Sequence, residues 1–241
     1  ACLCGAALAL VILAIMVINR DALDYKVASP SAATAKAAAP AVANAEHPMA
    51  FLRLPSVWLC FSFFFWTTCA MSAIQTFASP ALQALYGLPA SLTAYVVTGY
   101  MLCGAAGMVI GGFSVGKVDR LEKVISASLL AAAVLLALVG MRWLPGYAAL
   151  GVAMLAGFGT GIAGPSRDML VKRAAPPGAT GRVYGMVYSG LDLGFCLAAP
   201  VFGYMLDHQM NASVFTGAAI ALALSVVSAG FVGAGVAARK A

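Results

Sequence analysis

Charge is scarce in this chain. Of its 241 residues, 14 are Lys or Arg and 8 are Asp or Glu, so only 9% are charged whereas 63% are hydrophobic. Soluble domains average about 25% charged residues. With a mean hydropathy of +0.96, the chain has too little polar surface to cover a water-exposed globule. The composition therefore excludes a soluble protein and predicts an integral membrane protein.

The sequence also has few of the groups that catalysis, metal binding or disulfide formation requires. Neither His47 nor His208 lies in a long apolar run, and Asp192 is the only acidic residue deep within one. General acid-base chemistry needs paired polar groups, so we expect no enzyme activity, no metal and no cofactor. The six cysteines show no disulfide spacing. The net charge of +6 suits loops beside anionic lipid and gives no reason to expect nucleic acid as a partner.

Long apolar runs dominate what is present. Each is close to the roughly 20 residues that a membrane-spanning helix needs, and backbone in lipid must pair its polar groups internally, which favours helices. The fold class predicted is an all-α polytopic membrane protein with seven transmembrane helices. The runs cover residues 2–18, 56–78, 92–115, 124–141, 147–165, 183–206 and 213–236.

The basic residues predict the orientation of these helices. Every Lys and Arg except Arg142 lies in alternate gaps between the runs or after the last one. Because basic loops stay in the cytoplasm, residues 19–55, 116–123 and 166–182 and the C-terminus are predicted to be cytoplasmic. We expect a multi-pass protein of a cell membrane such as the bacterial inner membrane, with the N-terminus of this chain outside.

Three segments organise the chain. Residues 1–19 hold the first helix, residues 20–55 form a cytoplasmic linker rich in Ala and Pro, and residues 56–241 hold six helices. In the last segment, two runs that contain polar residues are followed by a plain run, meaning one with few polar residues. This pattern occurs twice. Such a three-plus-three arrangement is typical of half of a large secondary transporter. Since the chain opens inside an apolar run, we expect further helices upstream.

Polar side chains in the second and third runs are candidates for lining a cavity. Their spacing would place them on single helical faces. The alternatives are an aqueous cavity and hydrogen bonds between helices, and we favour the cavity because one helix contact does not need so many polar groups. The residues are Thr68, Ser72, Gln75 and Thr76 in the second run, and Tyr95 and Thr98 in the third.

Asp192 is the sharpest candidate for chemistry. It lies about nine residues, or roughly 14 Å, from the cytoplasmic end of its run. A charge at that depth costs about 2.5 to 3.5 kcal/mol, so we expect the carboxyl to face the bundle interior and to find a partner or take up a proton. Tyr184 and Tyr188 lie on the same face and are further cavity candidates. A structural Asp held by the Tyr188 hydroxyl is the alternative.

Charged residues at the cytoplasmic ends of helices are candidates for gating salt bridges. Arg167 and Asp168 come directly after the fifth run, and Asp119 and Arg120 come after the third. The glycine-rich end of the fifth run, residues 157–165, is loose enough to bend where a gate would move.

Several motifs resemble the major facilitator superfamily. They are Gly164-Pro165-Ser166-Arg167-Asp168, Pro176-Pro177-Gly178, Gly181-Arg182-Val183-Tyr184-Gly185, and Gly190-Leu191-Asp192-x-Gly194 with Ala199-Pro200-x-x-Gly203. The resemblance implies a twelve-helix fold in which residues 1–18 are the sixth helix and residues 56–241 are the C-terminal half-bundle. It also implies a six-helix N-terminal half as a partner and a central cavity lined by the second, third, fifth and sixth runs. Residues 112–123 resemble the family's Gly-x-x-x-Asp-Arg loop, but with Asp119 and Arg120 three residues late.

The function expected from these observations is secondary active transport of a small solute by alternating access. Proton coupling through Asp192 is part of this expectation, as is efflux of a drug or metabolite, because the segment from Gly190 to Gly203 is similar to a helix of exporter-type members. One alternative is a seven-helix receptor, although the last run has no Asn-Pro motif. The other is a membrane-protein fragment that does not transport.

Overall fold

A computed structural model describes residues 55–115, 121–174 and 180–238. Within these ranges all regular structure is helical. The elements are α1 (Pro55–Ser72), a π-helical segment (Ala73–Phe77), α2 (Ala78–Tyr86), α3 (Ala90–Thr93), α4 (Tyr95–Val115), α5 (Leu121–Gly140), α6 (Gly146–Ala174), α7 (Thr180–Asp207) and α8 (Asn211–Ala238).

Six stretches of helix are long and apolar enough to cross a membrane. They correspond to the second through seventh predicted runs and confirm an all-helical, multi-pass architecture for this part of the chain. The predicted first helix and most of the linker lie outside the described residues. The stretches are Val57–Tyr86, Ala90–Ser114, Leu121–Gly140, Gly146–Lys172, Val183–Asp207 and Asn211–Val232.

Two of these stretches run past the predicted ends. The run predicted to end at residue 78, before Pro80, continues through α2 to Tyr86. Pro80 lies in the first turn of α2, directly after the π-helical segment, so the helical stretch continues past a proline at the point where its hydrogen-bond pattern changes. The run predicted to end at residue 165 also continues, because α6 passes through Pro165 and ends at Ala174.

The six stretches pack in a fixed order of neighbours: α4, α6, α5, α8, α1 and α7. If the first, second and third stretches of the sequence are exchanged with the fourth, fifth and sixth, the order of neighbours reads backwards. Each pair of neighbouring helices is therefore replaced by another pair of neighbours. The plain helices α5 and α8 lie in the middle of the order and contact each other. The ends of the order are α4 and α7, which are the least buried because each has one principal neighbour.

Glycines allow α4 and α6 to approach at backbone distance. Gly107 and Gly111 lie against the backbone of Phe158 and Ile162, which is how small residues commonly join membrane helices. Gly157 and Gly161 of α6 lie in turn against the backbone of α4. The glycines of α6 were predicted to permit bending, but the helix is continuous and these two serve as contact points.

The contact between α1 and α7 uses the same device. A Cβ at Gly190 would lie 2.9 Å from the Phe61 carbonyl oxygen, and one at Gly194 would lie 2.8 Å from that of Phe65. Cys69 Sγ also donates to the Gly194 carbonyl over 3.6 Å. These contacts fix the register in which α7 lies beside α1.

Candidate functional site

Side chains from three helices meet where α6 approaches its end and α7 begins. We call Phe64, Arg167, Asp168, Tyr184 and Tyr188 the Arg167 cluster. The Arg167 guanidinium lies 4.5 Å from the centre of the Phe64 ring on α1, and its Nε lies 3.3 Å from Asp168 Oδ1. The Tyr184 hydroxyl donates to the Asp168 carbonyl oxygen over 2.9 Å. The predicted pairing of Arg167 with Asp168 is thus present, but within a larger arrangement.

The ion pair contributes little to holding this cluster together. The two side chains are 21% and 46% exposed, and exposed pairs are worth about 0 to 1 kcal/mol. The cation-π contact, worth about 0.5 to 2 kcal/mol, and the tyrosine hydrogen bond join different helices. Since α6 packs mainly on α4 and α5, and α7 mainly on α1, these side chains connect helices that have little direct packing between them.

Aromatic rings complete the Arg167 cluster. The Tyr188 ring lies 5.4 Å from that of Phe64 and 5.8 Å from that of Tyr184. Sequence reasoning placed both tyrosines in a cavity but did not single out Phe64, because one Phe in a run of apolar residues carries no signal of its partner. Asp119 and Arg120 lie outside the described residues.

Replacing Tyr184 with Phe should destabilise the protein by about 1 kcal/mol, because the change removes one hydrogen bond between helices and keeps the ring. The apparent midpoint of thermal unfolding in detergent measures the effect. Tyr147→Phe is the matched control, since Tyr147 is 70% exposed. Equal midpoints for the two variants would contradict a bridging role for the Tyr184 hydroxyl.

Asp192 lies on the open side of α7. Its side chain is exposed, and among the described residues no hydrogen bond or ion pair reaches its carboxylate. The alternative in which the Tyr188 hydroxyl holds it therefore gains no support. Because hydrocarbon is a costly environment for a carboxylate, an exposed Asp at mid-span needs water or another protein segment beside it.

The predicted polar face of the second run is divided in two. Thr68 and Ser72 are buried, at 0% and 1% exposure, and Thr68 Oγ1 donates to the Phe64 carbonyl of its own helix over 2.8 Å. Gln75 is partly exposed and Thr76 is exposed. The division falls at the π-helical segment Ala73–Phe77, whereas the predicted face assumed 3.6 residues per turn throughout.

On α4, the two predicted cavity residues are both accessible. Tyr95 is 63% exposed, and Thr98 is exposed as well. Sequence reasoning missed Tyr100, which is buried and shares a hydrogen bond of 3.0 Å with Thr160 of α6. Tyr100 comes five residues after Tyr95, and this spacing alone indicates a polar group on the opposite face of the helix.

Comparison with protein families decides the class of molecule. The Major Facilitator Superfamily model matches residues 1–199 and also residues 61–239. The chain belongs to the major facilitator superfamily. The resemblance noted from the sequence motifs is confirmed. A comparison with curated proteins finds no match.

Membership in the major facilitator superfamily supplies the general function. Its members are transporters that carry small solutes across membranes, which agrees with six apolar helices in the described residues. The receptor alternative is not retained, because the family is one of transporters.

Proposed function

We propose that this chain forms the C-terminal half-bundle of a proton-coupled secondary transporter, with Asp192 as the group that exchanges the proton. The observation that carries the proposal is the position of this carboxyl: it lies near the middle of a membrane span and is exposed, and no described residue pairs with it. A carboxyl in that setting can exchange a proton with a water-filled cavity. Intramembrane acids are functional by default, which supports the assignment.

A six-helix N-terminal half is the partner that we propose for the open faces of α4 and α7. Both helices are at the ends of the packing order, and both expose large apolar side chains at mid-span, such as Leu102 on α4 and Leu197 on α7. A second half-bundle on these faces would enclose Asp192 and Thr98 in a shared cavity. Tyr95 would lie at its rim.

Alternating access would require the two halves to rock about this cavity. The Arg167 cluster lies on the side predicted to be cytoplasmic, and it joins α6 to α1 and α7 through side chains rather than backbone packing. Side-chain bridges can break and re-form without unfolding a helix. We therefore propose the Arg167 cluster as part of a gate, together with Asp119 and Arg120, which follow α4 in the sequence.

The remaining features of the proposal come from the sequence. We propose a cell membrane such as the bacterial inner membrane as the location. The basic residues favour a C-terminus in the cytoplasm, and the similarity to exporter-type members favours efflux of a drug or metabolite. Uptake by inverted membrane vesicles, in which efflux appears as accumulation, is the appropriate assay.

The test is uptake of a diverse panel of radiolabelled compounds by inverted vesicles from cells that produce the protein. At least one compound should accumulate above the level in vesicles from cells without it, and collapsing the proton gradient with an uncoupler should abolish the excess. Accumulation that persists with the uncoupler would contradict proton coupling. No accumulation of any compound would contradict transport as the function.

A further inference from the structure

The π-helical segment in the first membrane span lies where the predicted polar face divides. A π turn uses i→i+5 hydrogen bonds, is rare, and is frequently found at functional sites. Here it covers Ala73–Phe77 within the stretch Val57–Tyr86, so irregular backbone lies near mid-membrane. Ala73 and Ile74 are buried, whereas Gln75 is partly exposed and Thr76 is exposed. The segment thus contains two polar side chains that the helix packing does not enclose.

The polar residues before the π segment have structural roles instead. Thr68 and Ser72 are buried, and the Thr68 hydroxyl is satisfied by its own helix. After the segment, Ser79 Oγ lies 3.1 Å from Thr93 Oγ1. Gln75 and Thr76 are therefore the two members of the predicted face that remain open to a solute.

The register between α1 and α7 gives the depth of these residues relative to Asp192. Asp192 precedes Gly194, which contacts Phe65 and Cys69. Phe202 comes ten residues after Asp192 on α7, and its ring lies 6.4 Å from that of Phe77 in the π-helical segment. With a rise of 1.5 Å per residue, Gln75 and Thr76 lie about 12 Å along the helix axis from Asp192.

The level of Gln75 and Thr76, which lies on the predicted outer side of Asp192, contains neutral polar groups. No Asp, Glu, Lys or Arg occurs from Pro55 to Tyr86, or from Leu193 to Leu206. The Gln75 amide and the Thr76 hydroxyl can each donate and accept a hydrogen bond. Such a pair suits a carbonyl, amide or hydroxyl group of a solute and offers no opposite charge to an ion.

We propose that Gln75 and Thr76 bind an uncharged polar group of the solute at a level separate from the proton-exchanging Asp192. Both side chains belong to the π segment. This inference rests on the proposed function, but it makes a prediction about water access that does not depend on finding the solute.

Thiol labelling tests the inference in membranes of cells that produce the protein, with all six native cysteines replaced by Ala. The neutral reagent 2-hydroxyethyl methanethiosulfonate should react with Gln75→Cys and Thr76→Cys at least about tenfold faster than with Thr68→Cys and Ser72→Cys, because thiol reactivity requires access. Four similar rates would overturn the division of the polar face. Immunoblots of the membrane fraction check that each variant is inserted, and either Gln75→Cys or Thr76→Cys suffices for the comparison.

A second arm tests the separation from Asp192. The cationic reagent 2-trimethylammonioethyl methanethiosulfonate should react more slowly with Ser189→Cys, one turn away, when Asp192→Asn is added. Its rate at Thr76→Cys should change by less than about twofold, since screening is strong beyond about 8 Å at physiological ionic strength. An equal loss at both positions would overturn the two-level arrangement.

A third arm tests contact with the solute. The panel compound that gives the largest uptake, at saturating concentration, should slow the neutral reagent at Thr76→Cys, and an unchanged rate would overturn solute binding there. If no compound is taken up, the proposed function fails. The first two arms still decide whether Gln75 and Thr76 are open to water at a level separate from Asp192.

Discussion

Asp192→Asn should abolish the pH dependence of solute uptake while leaving the amount of protein in the membrane unchanged. Asn has nearly the shape of Asp but cannot exchange a proton at physiological pH. Because Asp192 is exposed on α7 and no described residue pairs with it, removing its charge leaves no buried partner unsatisfied. The expected result is therefore a change in coupling without a change in folding.

Uptake by inverted vesicles at several imposed pH gradients measures this effect. The wild type should respond to the gradient, and the variant should show the same uptake at every gradient. Asp207→Asn is the matched control, because Asp207 is an exposed acid at the end of the same helix. Gradient-dependent uptake by Asp192→Asn at the wild-type level would refute the assignment of this carboxyl.

Gly161→Ala should destabilise the protein by about 1 to 3 kcal/mol, the usual cost of overpacking. A Cβ at this position would run into the backbone of Gly104 on α4. The obstacle is main chain and not the end of a flexible side chain, so α4 and α6 must separate to accept a single methyl group. Loss of this contact would weaken the closest helix pairing in the described bundle.

The apparent midpoint of thermal unfolding in detergent measures the change. Gly151→Ala is the control within the same helix, because a Cβ there meets nothing within 4 Å. Alanine is a better helix former than glycine by up to about 1 kcal/mol, so the control should have an unchanged or higher midpoint. A midpoint for Gly161→Ala at or above that of the control would contradict backbone contact between α4 and α6.

The parts of this structure that depend on composition were predictable. Apolar runs of about 20 residues require helices in lipid, and six of the predicted helices are present where the structure describes the chain. The family was also predictable, since motifs around Gly164 and Gly190 carry it. Both features depend on residues close together in sequence.

Features that depend on tertiary partners were not predictable in the same way. The Thr68 hydroxyl bonds to its own helix and Thr76 is open, yet both are Thr at helical spacing in an apolar run. The difference is that neighbouring helices enclose Thr68 and leave Thr76 open, and no residue type marks it. Likewise, Phe64 receives the Arg167 guanidinium only because α1 and α6 approach each other there.

The glycines of α6 illustrate why a flexible residue is ambiguous in sequence. Gly157 and Gly161 could have served bending or packing, and both readings fit their spacing. In the structure they lie against Tyr100 and Gly104 of α4. Because glycine has no side chain, the two helices can approach closely at these positions. Which role a glycine has depends on what lies beside it, and that is information from the fold.

Solute-driven proton movement in proteoliposomes that contain the purified protein and an internal pH dye tests the central claim most directly. Adding the transported compound without any imposed gradient should change the internal pH, and Asp192→Asn should remove that change. Solute uptake by the wild-type protein without any movement of protons would contradict the account.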